Sequence, residues 1–272
     1  MGNVVVLGSL NIDLVLQVAG LPAPGETVLS ARPTRRPGGK GANQAIAAAA
    51  AGASTMLIGR VGAHDDGPAY RAALADHGVD VSGLLEDAST TTGLAVVVVD
   101  PAGENLIVVS PGANSAIGPE DISRAHLARG DVLLLQLEIP VDSAIAAIGA
   151  AHDAGATVAL NLSPYHDVPP DTLARCDVVI VNRTEAKRLT STRLDPSRLV
   201  TTAGPDGAAW GDLIVAAPSV DSVIDTTGAG DAFAGVLAAG LALRRSRSDA
   251  LTDAVAAGSA CVRHVGAQPW TL

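Results

Sequence analysis

Asp225-Thr226-Thr227-Gly228-Ala229-Gly230-Asp231-Ala232-Phe233 is the stretch on which the reading of this chain turns. It follows an apolar run at Val220, Val223 and Ile224 and opens an Ala/Leu-rich segment to about residue 244, an order that predicts strand, glycine turn and helix. Gly228 and Gly230 permit a tight turn and leave room for a ligand against the main chain. The first amides of a helix have no internal partner, and the helix dipole favours an anion there. Asp231 stands beside that anion site, where a carboxylate needs another task. Accepting a proton from a nucleophilic hydroxyl beside a cradled phosphate is such a task. Taken alone, Asp231 also reads as a favourable first-turn acid of a capped helix. No GK[ST] follows and Phe233 occupies the place of a third glycine, so the stretch is neither a P-loop nor a dinucleotide fingerprint.

Just upstream, the run from 199 to 202 enters a turn containing Gly204, Pro205, Asp206 and Gly207, whose main-chain N–H groups, with Thr202, are candidates for phosphate contact. Alone it is a turn. Residues 177–185 predict a strand that ends at Asn182 and enters a helix carrying Glu185. That pair reads as a capping box or as two groups facing one ligand. Downstream, the last helix is expected over about 248–264, followed by Gly266, Ala267, Gln268 and Pro269.

Further out, residues 4–8 read as a buried strand, with Asn11 and Asp13 at its carboxyl end, where open parallel sheets bind ligands. The two read equally as turn residues. Strands are expected around a Pro/Gly turn at 21–26, resuming at Thr27, Val28 and Leu29. Gly38-Gly39-Lys40-Gly41-Ala42-Asn43-Gln44 leads into an Ala-rich helix to about residue 51, either a bland linker or a polar pocket floor. Residues 55–62 predict a strand, 66–77 a helix and 79–81 a short strand. Two β-rich runs around the polar turn at 100–104 predict a hairpin. The run 132–138 predicts a strand ending in Glu138, followed by a helix over 141–154 and a strand from 157, the spacing of βαβ units.

The chain has 272 residues, 48% of them hydrophobic and only 2% aromatic, so its core is built from Ala, Val, Leu and Ile. Ala-rich helices alternating with Val-rich strands suit a parallel sheet covered on both faces. A net charge of −10 argues against a general nucleic-acid surface. Two cysteines without CxxC spacing give no disulfide framework, and the scattered histidines no zinc site. No signal peptide or membrane-spanning run is visible, so a cytoplasmic protein is expected.

The DTTGAGD string resembles the DTxGAGD motif of the PfkB (ribokinase-like) family of carbohydrate and nucleoside kinases. GGKGANQA, the PGAN of residues 111–114, the NxxE of Asn182 and Glu185, and GAQP at 266–269 resemble ribokinase members of that family, in order along essentially the whole chain. The resemblance implies a three-layer α/β/α sandwich with a central, mostly parallel sheet, one kinase domain over 1–272, and a small β-sheet lid from strands near 12–34 and 92–110. It implies transfer of the ATP γ-phosphoryl to a pentose hydroxyl, O5 of D-ribose, with Asp231 as base and the Gly228, Ala229 and Gly230 amides stabilising the transferred group. Asn11, Asp13, Gly39, Lys40, Asn43 and Glu138 would bind the sugar. Asn182, Thr202, Gly204, Gly207 and Gly230 would border the nucleotide. Asn182 and Glu185 would organise Mg²⁺ largely through water. Asp225, Thr227, Cys261, His264 and Gly266 would surround a monovalent cation such as K⁺, with His264 standing where several relatives have arginine. A homodimer through the lid is also implied. The alternatives are a kinase for another sugar or a nucleoside, and a catalytically weak sugar-binding protein. Two departures are expected to matter: residues 190–198 are shorter than the corresponding segment of relatives, and relatives usually add a terminal helix beyond the equivalent of Leu272.

Overall fold

The structure, a computed structural model, describes residues 2–30, 32–189 and 194–268. A ten-stranded sheet forms its centre. The strands of its main path are β1 (Val4–Leu7), β4 (Thr55–Gly62), β5 (Val79–Asp80), β9 (Val132–Leu135), β10 (Thr157–Asn161), β11 (Val178–Asn182), β12 (Leu199–Thr202), β13 (Ala208–Trp210) and β14 (Leu213–Val215). They run in the order β14-β13-β12-β11-β10-β9-β1-β4-β5, and β6 (Leu84–Asp87) also pairs with β4. All pairings are parallel except those of β13, which is antiparallel to both its neighbours. The α/β sandwich with a mostly parallel sheet is therefore as the sequence predicts.

Alternation along the strands builds the layers. In β1, Val4 and Val6 join one core while Val5 and Leu7 join the other. The first core is roofed by α1 (Lys40–Ala50), α2 (Gly67–Asp76), α6 (Ala229–Ala242) and α7 (Arg247–Cys261). The second is roofed by α3 (Val141–Ala154), α4 (Pro170–Leu173) and residues of α5 (Arg183–Arg188). With a single Phe in the chain, small aliphatic side chains let these layers approach closely.

A separate four-stranded sheet has the order β3-β2-β7-β8, from β2 (Asn11–Gln17), β3 (Thr34–Gly38), β7 (Gly93–Val99) and β8 (Asn105–Ser110). Its members differ in one place from expectation: the partner of β2 is not the run at 27–29, where Leu29 is 91% exposed, but Thr-Arg-Arg-Pro-Gly at 34–38. A segment with two arginines and a proline does not read as a strand, yet an edge tolerates both, since Pro37 need donate nothing outward.

Two other expectations are corrected. The run before the glycine turn is not a strand; Val223 and Ile224 are exposed, and the Ile224 N–H donates to Val262 O at the end of α7 (2.8 Å) instead of to the sheet. The strand expected over 132–138 stops at Leu135, because the Leu137 amide turns to Ser163 O. In the crossover from β11 to β12, α5 has six residues and a 3₁₀ turn covers Pro196–Arg198. Leu189, Leu194 and Leu199 pack on the second core there, so that part of the sheet is not bare. Residues 190–193 of the shortened segment, and 269–272 of the tail, lie outside the described residues.

Candidate active site

At the carboxyl end of the parallel sheet, beside the small sheet, Glu138 meets the start of α1 and Asn43 meets Asp231. β1 ends at Leu7, and the chain turns through Gly8, Ser9 and Leu10 into β2. α1 starts against that turn: Gly39 has φ 89°, and a Cβ there would lie 2.7 Å from the Asn11 nitrogen, so only glycine fits both the backbone angle and the contact. Glu138, just past β9, accepts from Ser9 Oγ (2.6 Å) and from the Lys40 N–H at the start of α1 (3.0 Å). Its carboxylate thus ties three segments together at a helix N-terminus, where negative charge is favoured.

Asn11 is buried, and its Oδ1 accepts from Asn114 Nδ2 (2.8 Å). Asn114 Oδ1 accepts from the Leu10 N–H (2.9 Å). The asparagine of PGAN therefore holds the turn that presents Asn11, a role that the sequence reading did not assign. Asp13 sits on the small sheet beside Gly38. Burial, then the Glu138 and Asp231 carboxylates, push its carboxyl up from 3.8 to about 7. The Asp231 carboxylate raises Lys40 above its ordinary value; burial opposes this, and Glu138 and Glu185 reinforce it. Asp13, Lys40, Glu138 and Asp231 are thus within electrostatic reach of one another.

Asp231 is 6% exposed. Its Oδ2 accepts from Asn43 Nδ2 and its Oδ1 from Gln44 Nε2, both at 3.0 Å. Asn43 Oδ1 in turn accepts from Gln268 Nε2 (2.6 Å), which also donates to the Tyr70 hydroxyl (2.8 Å), and that hydroxyl donates to Gly38 O (2.7 Å). Gln44 belongs to the stretch read from sequence as a polar pocket floor and Gln268 to the GAQP string, but neither is assigned a contact there, and Tyr70 carries no sequence signal.

At the head of α6, Gly228 adopts φ 80°, and a Cβ there would meet Ala267 Cβ at 2.4 Å. A Cβ on Gly230 would meet nothing within 4 Å. The Ala229 N–H is taken by Thr226 O (3.3 Å), and the helical ladder starts with Ala232 N–H to Gly228 O. Among the described residues, the Gly228, Gly230 and Asp231 amides have no such acceptor, as the first amides of a helix are expected to have none.

Asn182 and Glu185 form the capping box: Asn182 Oδ1 accepts from the Thr184 and Glu185 amides (2.9 and 2.8 Å), and Glu185 Oε2 from the Asn182 amide (2.8 Å). Asn182 is exposed and Glu185 half-buried. Across from them, Thr202 ends β12 and the turn of Gly204 and Gly207 closes with the Ala203 N–H on Gly207 O (2.8 Å). Arg183 and Asp206 pair at 2.7 Å, joining that turn to α5.

Asp225 accepts from the Thr227 amide (2.9 Å) through Oδ1 and from the Gly266 amide (2.8 Å) through Oδ2. Burial raises its carboxyl, but these bonds and Arg36 outweigh it and leave the group below its ordinary value. Cys261 Sγ approaches Thr227 O at 3.5 Å; burial, then Asp231 and Asp225, push its thiol up. Arg36 Nη1 donates to Val265 O (2.9 Å), clamping the small sheet to this tail. Asp225, Thr227, Cys261 and Gly266 are thus brought together, whereas the exposed His264 contributes a backbone bond to Cys261 O. Among the described residues, no three His, Cys, Asp or Glu side chains cluster as a metal site, and no helix is long and apolar enough to cross a membrane.

The model of the pfkB family of carbohydrate kinases matches residues 1–271. The chain is 34% identical over 280 residues to a ribokinase of Bacillus subtilis, an alignment covering 98% of this chain and 95% of that one. It is 32% identical over 291 residues to the bifunctional ribokinase/ribose-5-phosphate isomerase A of Fructilactobacillus sanfranciscensis, covering 98% of this chain but 54%, about half, of that longer protein. Among solved structures, the Arabidopsis thaliana ribokinase complexed with ribose and ATP matches with a TM-score of 0.86 at 30% identity, over 98% of this chain and 94% of that one.

Proposed function

Since the chain belongs to the pfkB family of carbohydrate kinases, we propose that it is a ribokinase, transferring the γ-phosphoryl group of ATP to O5 of D-ribose. Asp231 carries this reading: a buried carboxylate held by two neutral amides, next to open main-chain donors at a helix start. Asp231 takes the O5 proton as the hydroxyl attacks, and the amides of Gly228, Gly230 and Asp231 receive the charge on the transferred phosphoryl group. Asn11, Asp13, Lys40 and Asn43 hold the sugar hydroxyls. Gly39 and Glu138 support them by fixing the turn and the start of α1.

The turn of Thr202, Gly204 and Gly207 borders the nucleotide. Mg²⁺ neutralises phosphate charge when bound; it keeps several waters and needs few protein carboxylates, which suits the half-buried Glu185, whose charge is felt at Lys40. Asn182 then acts mainly by orienting Glu185. The oxygen-rich loop of Asp225 and Thr227, with the tail near Cys261, His264 and Gly266, suits a monovalent cation such as K⁺. Residues 1–272 act as one kinase domain in the cytoplasm, the small sheet serving as lid. Leu106, Ile107, Val108 and Val109 on β8 are 47–69% exposed, an apolar edge suited to a second copy in a homodimer.

The test is coupled ATP-to-ADP turnover with D-ribose, 2-deoxyribose, fructose and adenosine, each with and without K⁺, alongside sedimentation of the protein. Highest kcat/KM with D-ribose is expected, raised by K⁺, from a dimer. A higher value with another acceptor would overturn the substrate, and no turnover from folded protein would overturn the kinase.

A further inference from the structure

Gln44 is fully buried on α1, three residues past Gly41. Its Nε2 donates to the Asp231 oxygen that Asn43 leaves free, at 3.0 Å. Its Oε1 is also buried and has no hydrogen-bond partner. A native interior seldom keeps such an acceptor, because an apolar side chain of the same size fills the space without it. The fold brings this amide to the site by a backbone contact between helices. A Cβ on Gly235 would come within 2.3 Å of Gln44 O and 2.7 Å of Ala47 Cβ. Asp231 lies four residues before Gly235, on the same face of α6.

Gln44 and Asn43 are both neutral donors. Together they fix the plane of the Asp231 carboxylate without the charge compensation of an ion pair, and each oxygen keeps a lone pair for a substrate proton. From this geometry we propose that Gln44 is a positioning residue for proton acceptance by Asp231, and that its unpartnered oxygen persists because of that role. The inference rests on the role of Asp231 proposed above.

Gln44→Met, close in length and without the amide, tests it through three readouts: thermal melting, steady-state kinetics with ATP and D-ribose, and crystal structures of both proteins. The variant is expected to melt at or above the wild-type temperature. Its kcat is expected to fall about 10- to 100-fold, the loss typical of a small misplacement, with KM for ribose within about twofold. Its Asp231 carboxylate is expected to be rotated from the wild-type orientation. Wild-type kcat with an unmoved carboxylate would overturn the proposal. So would a variant that melts well below wild type, because the amide would then be serving the fold. Should wild type fail to phosphorylate any sugar, the functional reading fails, and the Asp231 orientation in the two crystal structures still decides the role of Gln44.

Discussion

Asn43 faces Asp231 through one atom and the C-terminal tail through another: Nδ2 donates to Asp231 Oδ2 at 3.0 Å, and Oδ1 accepts from Gln268 Nε2 at 2.6 Å. The tail contact fixes which way the Asn43 amide points, since a flipped amide would set its oxygen against the carboxylate. Gln268→Leu therefore leaves Asp231 in place but frees Asn43. One hydrogen bond contributes about 0.5–1.5 kcal/mol, so calorimetry should show ribose binding weakened roughly 2- to 10-fold, with the melting temperature little changed. Unaltered affinity would mean that the tail does not orient Asn43.

Gly228 and Gly230 separate structure from chemistry. Gly228→Ala places a Cβ at φ 80° against Ala267 and is expected to cost about 1–3 kcal/mol or more in urea denaturation. Gly230→Ala meets open space, lies within α6, and should leave stability equal or slightly higher. Its methyl group would intrude on the phosphoryl site proposed above, so turnover should fall at least tenfold, a barrier increase of about 1.4 kcal/mol. Full activity of Gly230→Ala would move the anion site elsewhere.

Much of this arrangement was legible in the sequence, and what escaped has physical reasons. The order of strands and helices followed from alternation and from the glycine turn, and the grouping of Asp231 with Asn43 and Lys40 followed from motif strings. β3 was missed because Arg35, Arg36 and Pro37 suit only an edge. The segment before Asp225 was misjudged because Val223 and Ile224 mimic a strand while pairing with a helix end. Gln268, Tyr70 and Asn114 act through contacts across 100 or more residues, and no local pattern encodes such a bond.

Asp13 gives a pH signature. Its carboxyl is raised from 3.8 to about 7 in the folded protein. Between those values the unfolded chain has released a proton that the folded chain keeps, so stability from this group is full below about pH 4 and is lost as pH rises to about 7. Asp13→Asn removes that dependence. The unfolding free energy of wild type minus that of the variant should fall from about pH 4 to 7 and flatten above, measured by urea titration. A difference that rises over that range would contradict the environment described for Asp13.

Asn182 and Glu185 are separable because the cap and the metal ask for different things. Asn182→Ala removes two accepted bonds and should lower stability by about 0.5–2 kcal/mol. Glu185→Gln retains an acceptor for the Asn182 amide, as capping boxes allow, so its melting temperature should hold. Its Mg²⁺ requirement for turnover should rise severalfold, and an unchanged Mg²⁺ titration would leave Glu185 with the cap alone.

The most direct test of the central claim is the turnover of Asp231→Asn with ATP and D-ribose, measured with ribose affinity by calorimetry on the same sample. General-base loss predicts a fall in kcat of about 10²- to 10⁴-fold with ribose affinity kept within a fewfold. Near-normal kcat in a folded, ribose-binding Asp231→Asn protein would contradict the account.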